Sequence, residues 1–250
     1  MAVRSTSRSG DEGAVPSASI RYADGSVRTV PFSQVRLADF AESVPWRQFR
    51  SVRGQRHYSG TYMAATTGGP IVHESRLELA RLLLADFDPV VRDIYGQPCR
   101  LTAQIGARVR RHVPDFLLIS RSGTARVVNV KPADRLGDPK VSAALAWPGE
   151  LAERRGWKYE VWSGADPVVL ANVRFLAGYR RPGVVPERDV RAAWRSVRDG
   201  DLLAVAERRL ADGRPAHEAR PALMALLWSG QLVTDLSRSL SGDSVLRRCA

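Results

Sequence analysis

Cysteine is scarce in this sequence, and long apolar runs are absent. Cys99 and Cys249 are its two cysteines, and neither has a Cys/His cluster with zinc-like spacing beside it, which argues against a disulfide framework or a structural zinc. No apolar run approaches the ~20 residues that cross a bilayer, and the first residues lack the hydrophobic segment of a signal peptide. We therefore expect a cytoplasmic protein without a membrane partner.

Acidic residues are the minority among the charged ones. The chain has 38 basic and 26 acidic residues and a formal net charge of +12. Such an excess attracts a polyanion and favours double-stranded DNA as the partner, although a generally arginine-rich composition is an alternative explanation. Residues 100–135 hold eight basic and two acidic side chains, half of the total excess, and this clustering supports the nucleic-acid interpretation.

Lysine is rarer still. Lys131, Lys140 and Lys158 are the three lysines among the 38 basic residues, so arginine supplies nearly all of the positive charge. Lys131 follows the apolar run RVVNV. A lysine in that position indicates a need for the amine itself, which is a compact point charge with a movable pKa.

The order of segments predicts an α/β protein in which helices enclose a mixed sheet. We divide it into a disordered tail (1–17), an N-terminal hairpin extension (18–45), a main domain (46–182) and a helical C-terminal domain (183–250). The last boundary rests on the Pro and Gly residues around position 182. In the C-terminal domain, helices followed by a short strand resemble a small winged-helix module. A short helix is also expected near residues 33–42.

The segment VPDFLLISRSGTARVVNVKP reads as a hairpin, because two apolar runs flank a turn rich in Ser and Gly. Depending on the centre of the turn, Asp115 lies opposite Asn129 or opposite Lys131. Asn129 and Lys131 share a strand face at a spacing of roughly 6–7 Å, while Val128 and Val130 point into the core. The hairpin thus brings a carboxylate, an amide oxygen and an amine to one side of the sheet.

This set of groups suits a Mg²⁺ site, because Mg²⁺ prefers hard oxygen ligands and commonly binds one or two carboxylates. Glu78 on the preceding helix is the candidate for the second carboxylate. Glu74 lies nearer the start of that helix, where the helix dipole accounts for it. Taken singly, each residue also has an ordinary explanation, as a strand end, a snorkelling lysine or an exposed helix residue.

Together these residues resemble the PD-(D/E)XK nuclease superfamily, and the TnsA-type endonuclease subunits of heteromeric transposases in particular. The similar segments are SRLELARLLL, DIYGQPCRL, VPDFLL, VVNVKP, GWKYEVWSG and ANVRFLAGYRRP. The resemblance implies a restriction-endonuclease-like core, with Glu78 and Asp115 as metal ligands and Lys131 as the catalytic lysine. Asn129 would take the third ligand position, where the superfamily usually has an acid.

The resemblance further implies a Mg²⁺- or Mn²⁺-dependent endonuclease that cuts one DNA strand at transposon ends. Its expected partners are a DDE-type transposase and an AAA+ ATPase regulator. Two alternatives remain open: a stand-alone restriction or repair nuclease of the same fold, and a catalytically weak DNA-binding scaffold subunit.

Two groups of arginines are candidates for DNA contacts. The stretch PWRQFRSVRGQRHYSG interleaves arginines with aromatic residues, which suits a phosphate backbone about as well as it suits a solvated loop. The second group lies in the basic region 100–135. The candidates are Arg50, Arg53, Arg56, Arg108, Arg110 and Arg111.

Overall fold

The computed structural model describes residues 15–47, 58–212 and 216–249. The described residues form twelve strands and six α-helices. The strands are β1 (Ser17–Arg21), β2 (Val27–Pro31), β3 (Gly60–Met63), β4 (Pro70–His73), β5 (Val91–Gly96), β6 (Arg100–Ile105), β7 (Arg108–His112), β8 (Phe116–Ser120), β9 (Ala125–Val130), β10 (Lys158–Trp162), β11 (Leu232–Val233) and β12 (Arg247–Arg248). The helices are α1 (Arg76–Phe87), α2 (Pro139–Arg154), α3 (Pro167–Leu176), α4 (Glu187–Ser196), α5 (Leu203–Ala211) and α6 (Ala216–Trp228).

The helices begin where the sequence supplies caps. At the start of α1, the Ser75 side chain accepts the N–H of Glu78. Asp138 and Asp166 cap α2 and α3 in the same way, and each is followed by a proline at the first helical position. A proline there loses no hydrogen bond and has the backbone angle that a helix needs. These local signals fix the helices that surround the main sheet.

Two four-stranded sheets form the body of the protein. One is antiparallel, in the order β2-β1-β6-β7. The other has the order β10-β9-β8-β5 and is mixed, because β10 runs parallel to β9 while the other neighbours are antiparallel. A mixed sheet with helices packed on it confirms the predicted α/β class.

The mixed sheet is the middle layer of the fold. Phe116 and Val128 point into an apolar core shared with α1 and α3. Leu117 and Val127 point the opposite way, into a second core formed with α2 and the antiparallel sheet. Because successive side chains of a strand alternate between faces, the continuous apolar runs of β8 and β9 follow from burial on both sides.

The prediction of a helix near residues 33–42 is wrong. Two 3₁₀ turns occupy this region, Phe32–Gln34 and Leu37–Phe40. Val35 between them is extended. The carboxylate of Asp39 accepts the backbone N–H of Arg36 at 2.8 Å. This local side-chain bond competes with continuous helix formation and stabilises a turn instead.

The segment RHVPDFLLIS is divided between two strands that lie in different sheets. β7 ends at His112 in the antiparallel sheet, and β8 begins at Phe116 in the mixed sheet. Pro114 lies between them and has no N–H for a strand ladder. The chain therefore crosses from one sheet to the other at residues 113–115, directly beside the predicted site.

The C-terminal residues pack closely on the main body. Leu223 and Trp228 of α6 belong to the same apolar core as Leu82 of α1 and Val128 of β9. Phe87 contacts Trp228, with ring centroids 5.2 Å apart. The predicted domain boundary at residue 183 stays a prediction, and a continuous core extends across it.

A buried amide adds polar contacts across the same boundary. The side-chain amide of Asn172 on α3 donates to the carbonyls of Leu236 and Arg238 at 2.9 and 2.8 Å. Its oxygen accepts the N–H of Leu240 at 3.1 Å. The loop between β11 and β12 is therefore fixed to α3.

Candidate active site

The β8–β9 hairpin places the first site residues. Phe116 pairs with Val128, and the N–H of Asp115 donates to the carbonyl of Val128 at 3.1 Å. This is the register that the sequence analysis associates with Asn129, and not Lys131, opposite Asp115. The positive-φ Gly123 lies in the connecting turn, where its φ of 82° suits glycine. The hairpin and the first of its two predicted registers are thus confirmed.

Asp115 lies half-buried at the point where the chain enters the mixed sheet. Its Oδ2 atom accepts the N–H of Val130 at 2.7 Å. Burial raises the pKa of the Asp115 carboxyl above its usual range, although the Val130 N–H and the positive charges of Lys131 and Arg47 act in the opposite direction. A further positive charge nearby would stabilise the ionised form of this carboxyl group.

Glu78 is the second carboxylate of the cluster and is only 9% exposed. Its two oxygens accept the N–H of Glu74 at 2.7 Å and the hydroxyl of Ser75 at 3.0 Å. Burial, together with the nearby charge of Asp115, raises the pKa of Glu78 to about 7, although the Glu74 N–H acts in the opposite direction. Glu78 is therefore both the capping residue of the first turn of α1 and a close neighbour of Asp115.

The sequence analysis excluded Glu74 as a metal ligand because of its expected position near the start of the helix, and the structure corrects that position. Glu74 precedes α1, which Ser75 caps, so it is Glu78 that occupies the first helical turn. Glu74 pairs instead with Arg47 at 2.7 Å and accepts from the side-chain amide of Gln97 at 3.1 Å. Its charge raises the pKa of both Glu78 and Asp115. The acidic cluster therefore has three members.

Gln97 holds this part of the site together, and sequence reasoning missed it. Its backbone adopts a φ of 48°, which is uncommon for a residue other than glycine. Its N–H donates to the carbonyl of Asp115 at 2.9 Å, and its side-chain oxygen accepts the N–H of Arg47 at 3.1 Å. A Gln-Pro pair between two strand-like runs was the available signal.

Asn129 is almost fully buried, at 1% exposure. Its side-chain nitrogen donates to the hydroxyl of Tyr159 at 2.9 Å, and that hydroxyl donates its proton to the carbonyl of Leu145 at 2.7 Å. Burial raises the pKa of Tyr159 to about 12, so the hydroxyl keeps this proton. The amide nitrogen of Asn129 must then face Tyr159, and its oxygen faces His112.

His112 completes this network. Its Nε2 atom lies 2.6 Å from the Asn129 oxygen and must donate there, since Oδ1 can only accept. Burial lowers the pKa of His112, and the charges of Lys131 and Arg47 lower it further although the Asn129 bond raises it. The signal missed in the sequence was a histidine three residues before Asp115. Tyr159 carried no signal, because it lies 30 residues from Asn129.

Lys131 follows β9, and its N–H donates to the carbonyl of Trp162 at 2.9 Å. Its positive charge lowers the pKa of both Asp115 and His112, so the ammonium lies near the two groups. No ion pair of Lys131 is found among the described residues. The structure thus brings Glu78, Asp115, Asn129 and Lys131 to one end of the mixed sheet.

The donor chemistry of the acidic cluster fits a divalent cation. Glu78 and Asp115 offer hard oxygen ligands, and the charge of Asp115 opposes ionisation of Glu78. A cation between two such carboxylates would favour the charged form of both. Within the described parts of the chain, no group of three or more His, Cys, Asp or Glu side chains is already arranged to hold a metal.

The predicted DNA-contacting arginines divide into two sets. Arg108, Arg110 and Arg111 are exposed on β7, which leads into the site through His112. Arg50, Arg53 and Arg56 lie outside the described residues. No helix of the described residues is long and apolar enough to cross a membrane.

A mixed sheet between helices, with acids and a lysine at one end, is consistent with a nuclease-like α/β fold. Residues 88–164 match the family model described as TnsA-like endonuclease N terminal. This part of the chain is therefore similar to the N-terminal domain of TnsA-like endonucleases, in agreement with the resemblance seen in the sequence. The match runs from just before β5 to just after β10, so it includes Asp115, Asn129 and Lys131 but not Glu78. No curated protein matches the chain.

Proposed function

We propose that this protein is a metal-dependent DNA endonuclease that cuts one strand at transposon ends as a subunit of a heteromeric transposase. The observation that carries the proposal is the convergence of Glu78, Asp115 and Lys131 within and beside a TnsA-like endonuclease domain. Hydrolysis would form a bond from water oxygen to phosphorus and break the bond to the 3′ oxygen. The products are a 5′-phosphate and a 3′-hydroxyl.

Glu78 and Asp115 would hold Mg²⁺ or Mn²⁺, which when bound supplies positive charge that activates water and stabilises the reacting phosphate. The Val130 N–H fixes one oxygen of Asp115 and leaves the other available. Lys131 adds a positive charge next to Asp115, where it favours binding of a phosphate. The ion pair of Arg47 with Glu74 keeps a further cation at the edge of the cluster.

Asn129 would be the third ligand, in the position that the family resemblance assigns to it. Its oxygen already accepts from His112, so a metal would use the second lone pair of that oxygen. Tyr159 fixes the amide orientation from the other side. In this arrangement His112 and Tyr159 are positioning residues for Asn129.

The partners and the target follow from the same family relationship. We infer that the substrate is double-stranded DNA, that a DDE-type transposase cuts the other strand and that an AAA+ ATPase regulates the complex. The C-terminal residues support a winged-helix-like module: three helices precede the β11–β12 pair, and Leu202 forms an additional bridge with Val245. Much of α6 is buried, so this module would contact partners through other surfaces.

A second candidate is a DNA-binding scaffold subunit with weak catalysis. The observation that favours it is the 2.6 Å contact between Asn129 and His112, which already uses the oxygen assigned to the metal. The two candidates differ in one property. An endonuclease nicks DNA when a divalent ion is present, whereas a scaffold binds DNA without cutting it.

The test is strand cleavage by the purified full chain, alone and together with the proposed DDE-type transposase partner. Supercoiled plasmid carrying the element ends is incubated with Mg²⁺, Mn²⁺ or EDTA, and the new termini are mapped on each strand. The proposal expects metal-dependent cuts in one strand with 5′-phosphate ends. Binding without cleavage in every condition would establish the scaffold alternative.

A further inference from the structure

The hairpin of β6 and β7 extends beyond the sheet to which it belongs. The two strands pair from Leu101 opposite His112 to Ile105 opposite Arg108, so residues 106 and 107 form a two-residue turn. On its other side, β6 pairs with β1 only through residues 100–102. Among the described residues, the outer part therefore has no neighbouring strand. We call residues 103–111 the β6–β7 ribbon.

The outer part of the ribbon is exposed on both faces. Every residue from 105 to 111 is exposed. Ile105 and Val109 near the tip are 43% and 56% exposed. Cross-strand pairing puts Ile105 on the face of Arg108 and Arg110, and puts Val109 on the face of Arg111. Each face of the outer part of the ribbon therefore presents arginine and one large exposed apolar side chain.

The ribbon carries positive charge without internal compensation. No acidic residue occurs between Asp93 and Asp115 in the sequence. Many arginines of the described residues form ion pairs with acidic side chains. Arg108, Arg110 and Arg111 form none of the ion pairs found among the described residues. These three side chains are free to contact an anionic partner.

Charged residues on an edge strand can also serve to prevent pairing with other proteins. That role explains the arginines of β7 but not the exposed Ile105 and Val109, which increase the tendency of an edge to associate. A role in preventing association also gives no reason for the positive charge of the ribbon to lie next to the acidic cluster. A polyanion with apolar groups between its charges accounts for both features.

Duplex DNA has this character. Its major groove is about 12 Å wide and accepts a two-stranded β-ribbon, with phosphates on both walls and thymine methyl groups on its floor. Arg110 is five residues from Asp115, a distance of at most ~17 Å along an extended chain. This is about half a turn of DNA, so the ribbon and the cleavage point can lie on one short stretch of duplex.

We propose that the β6–β7 ribbon enters the major groove of duplex DNA next to the scissile phosphate. Arg108, Arg110 and Arg111 contact phosphates on the two walls, and Ile105 and Val109 contact the groove floor. This inference rests on the proposed endonuclease function and identifies the element that holds its substrate.

The first test measures duplex binding by the full chain in EDTA, over a range of salt concentrations. The triple variant Arg108→Ala, Arg110→Ala and Arg111→Ala should reduce the slope of log affinity against log salt by roughly 2–3, because three phosphate contacts are lost. The matched control is Arg174→Ala, Arg195→Ala and Arg208→Ala. These arginines are also exposed and unpaired among the described residues, and the control removes the same charge from three helices.

The second test identifies the groove. One duplex carries glucosylated 5-hydroxymethylcytosine, which fills the major groove, and a second is saturated with netropsin, which fills the minor groove. Wild-type binding should fall at least tenfold on the glucosylated duplex and stay within twofold on the netropsin complex. The double variant Ile105→Ser and Val109→Ser should bind plain duplex more weakly and lose much of this discrimination.

The possible outcomes separate the two proposals. Equal salt slopes for the ribbon variant and its control, or inhibition by netropsin alone, would overturn the ribbon assignment and leave the nuclease proposal standing. Failure of the wild-type chain to bind any duplex would overturn both. Loss of cleavage by Asp115→Asn with unchanged duplex binding would support the nuclease proposal independently of the ribbon.

Discussion

Asn129 and Asp115 lie at the end of the same hairpin, but their side chains differ in how completely the protein satisfies them. Asn129 is held on both polar atoms, by His112 and by Tyr159. Asp115 accepts one described hydrogen bond, from the Val130 N–H, and lies near the charge of Glu78. An added cation would therefore stabilise the acidic side of the site, formed by Glu78 and Asp115. The amide side, formed by Asn129, His112 and Tyr159, already has hydrogen-bond partners within the protein. The proposed roles divide in the same way: Glu78 and Asp115 would bind the metal, His112 and Tyr159 would fix the geometry, and Asn129 would lie between the two groups.

The largest effect is expected from the acidic side. Asp115→Asn should reduce the rate of DNA nicking by roughly 10³-fold or more, since metal charge stabilisation is worth several kcal/mol and each 1.4 kcal/mol is a factor of ten. The measurement is single-turnover nicking of plasmid DNA. Asp134→Asn, an exposed residue in the turn after Lys131, is the control and should cut normally. Wild-type rates for Asp115→Asn would remove Asp115 from the site.

Lys131→Ala should follow, with a loss of roughly 10²–10³-fold in the nicking rate, the range measured for removing one donor to a developing charge. Duplex binding should stay nearly unchanged, because arginine supplies nearly all of the positive charge that would attract phosphates. Lys140→Ala changes an exposed lysine near the start of α2 and serves as the control. Similar losses for both lysine variants would indicate a general charge effect instead of a catalytic one.

Substitutions of Asn129 test whether this residue is a metal ligand or only positions its neighbours. Asn129→Asp should retain or increase Mg²⁺ affinity, because it adds a charged ligand, even though repulsion from Asp115 raises a coupled pKa when no metal is bound. Asn129→Leu removes the oxygen and should raise the Mg²⁺ concentration needed for half-maximal nicking at least tenfold. An unchanged Mg²⁺ requirement in Asn129→Leu means that residue 129 is no ligand and only positions its neighbours.

Glu78 gives a prediction about stability and pH. Its pKa in the folded protein is raised from 4.5 to about 7, so the folded state holds this proton more tightly than the unfolded chain. Ionisation therefore reduces stability as pH rises from about 4.5 to 7, and the loss is complete above that window. Glu78→Gln, measured by urea unfolding in EDTA, should be more stable than wild type by on the order of 2–3 kcal/mol at pH 8.

The same variant should show little gain at pH 4, where wild-type Glu78 is mostly protonated in both states. Mg²⁺ should narrow the difference at pH 8, because it stabilises the charged wild-type carboxylate. Glu150→Gln, on the exposed face of α2, is the control and should change little at either pH. A gain that is independent of pH would mean that burial of charge at Glu78 is not its cause.

The smallest effect is expected from a substitution of Tyr159, which holds the Asn129 amide in place. Tyr159→Phe leaves the Asn129 amide and the Leu145 carbonyl without a partner and should cost about 1–2 kcal/mol in the free energy of unfolding. Tyr22→Phe removes a longer hydroxyl contact, 3.4 Å from the Asp39 carbonyl, and should cost less. If Tyr159→Phe lowered nicking as much as Asp115→Asn does, the division between the two sides would be wrong.

Several features were determined by the sequence alone, because they depend on neighbours along the chain. Alternating faces and a Ser-Gly turn fixed the β8–β9 hairpin and placed Asp115, Asn129 and Lys131 together. Caps and prolines set the starts of α1, α2 and α3. The placement of Glu78 beside Asp115 needed the family pattern as well, since nothing in the local sequence joins a helix to a distant strand.

Tertiary structure decided how the site residues are used. Asn129 is oriented by His112 and Tyr159, which are 17 and 30 residues away in sequence. Glu74, just before the Ser75 cap of α1, accepts a hydrogen bond from Gln97, which lies 23 residues further along the chain. Such contacts form only when separate strands and helices pack, so side-chain periodicity contains no record of them. The sequence determined that Asp115, Asn129 and Lys131 reach this end of the sheet, and packing determined which of their polar atoms already have hydrogen-bond partners.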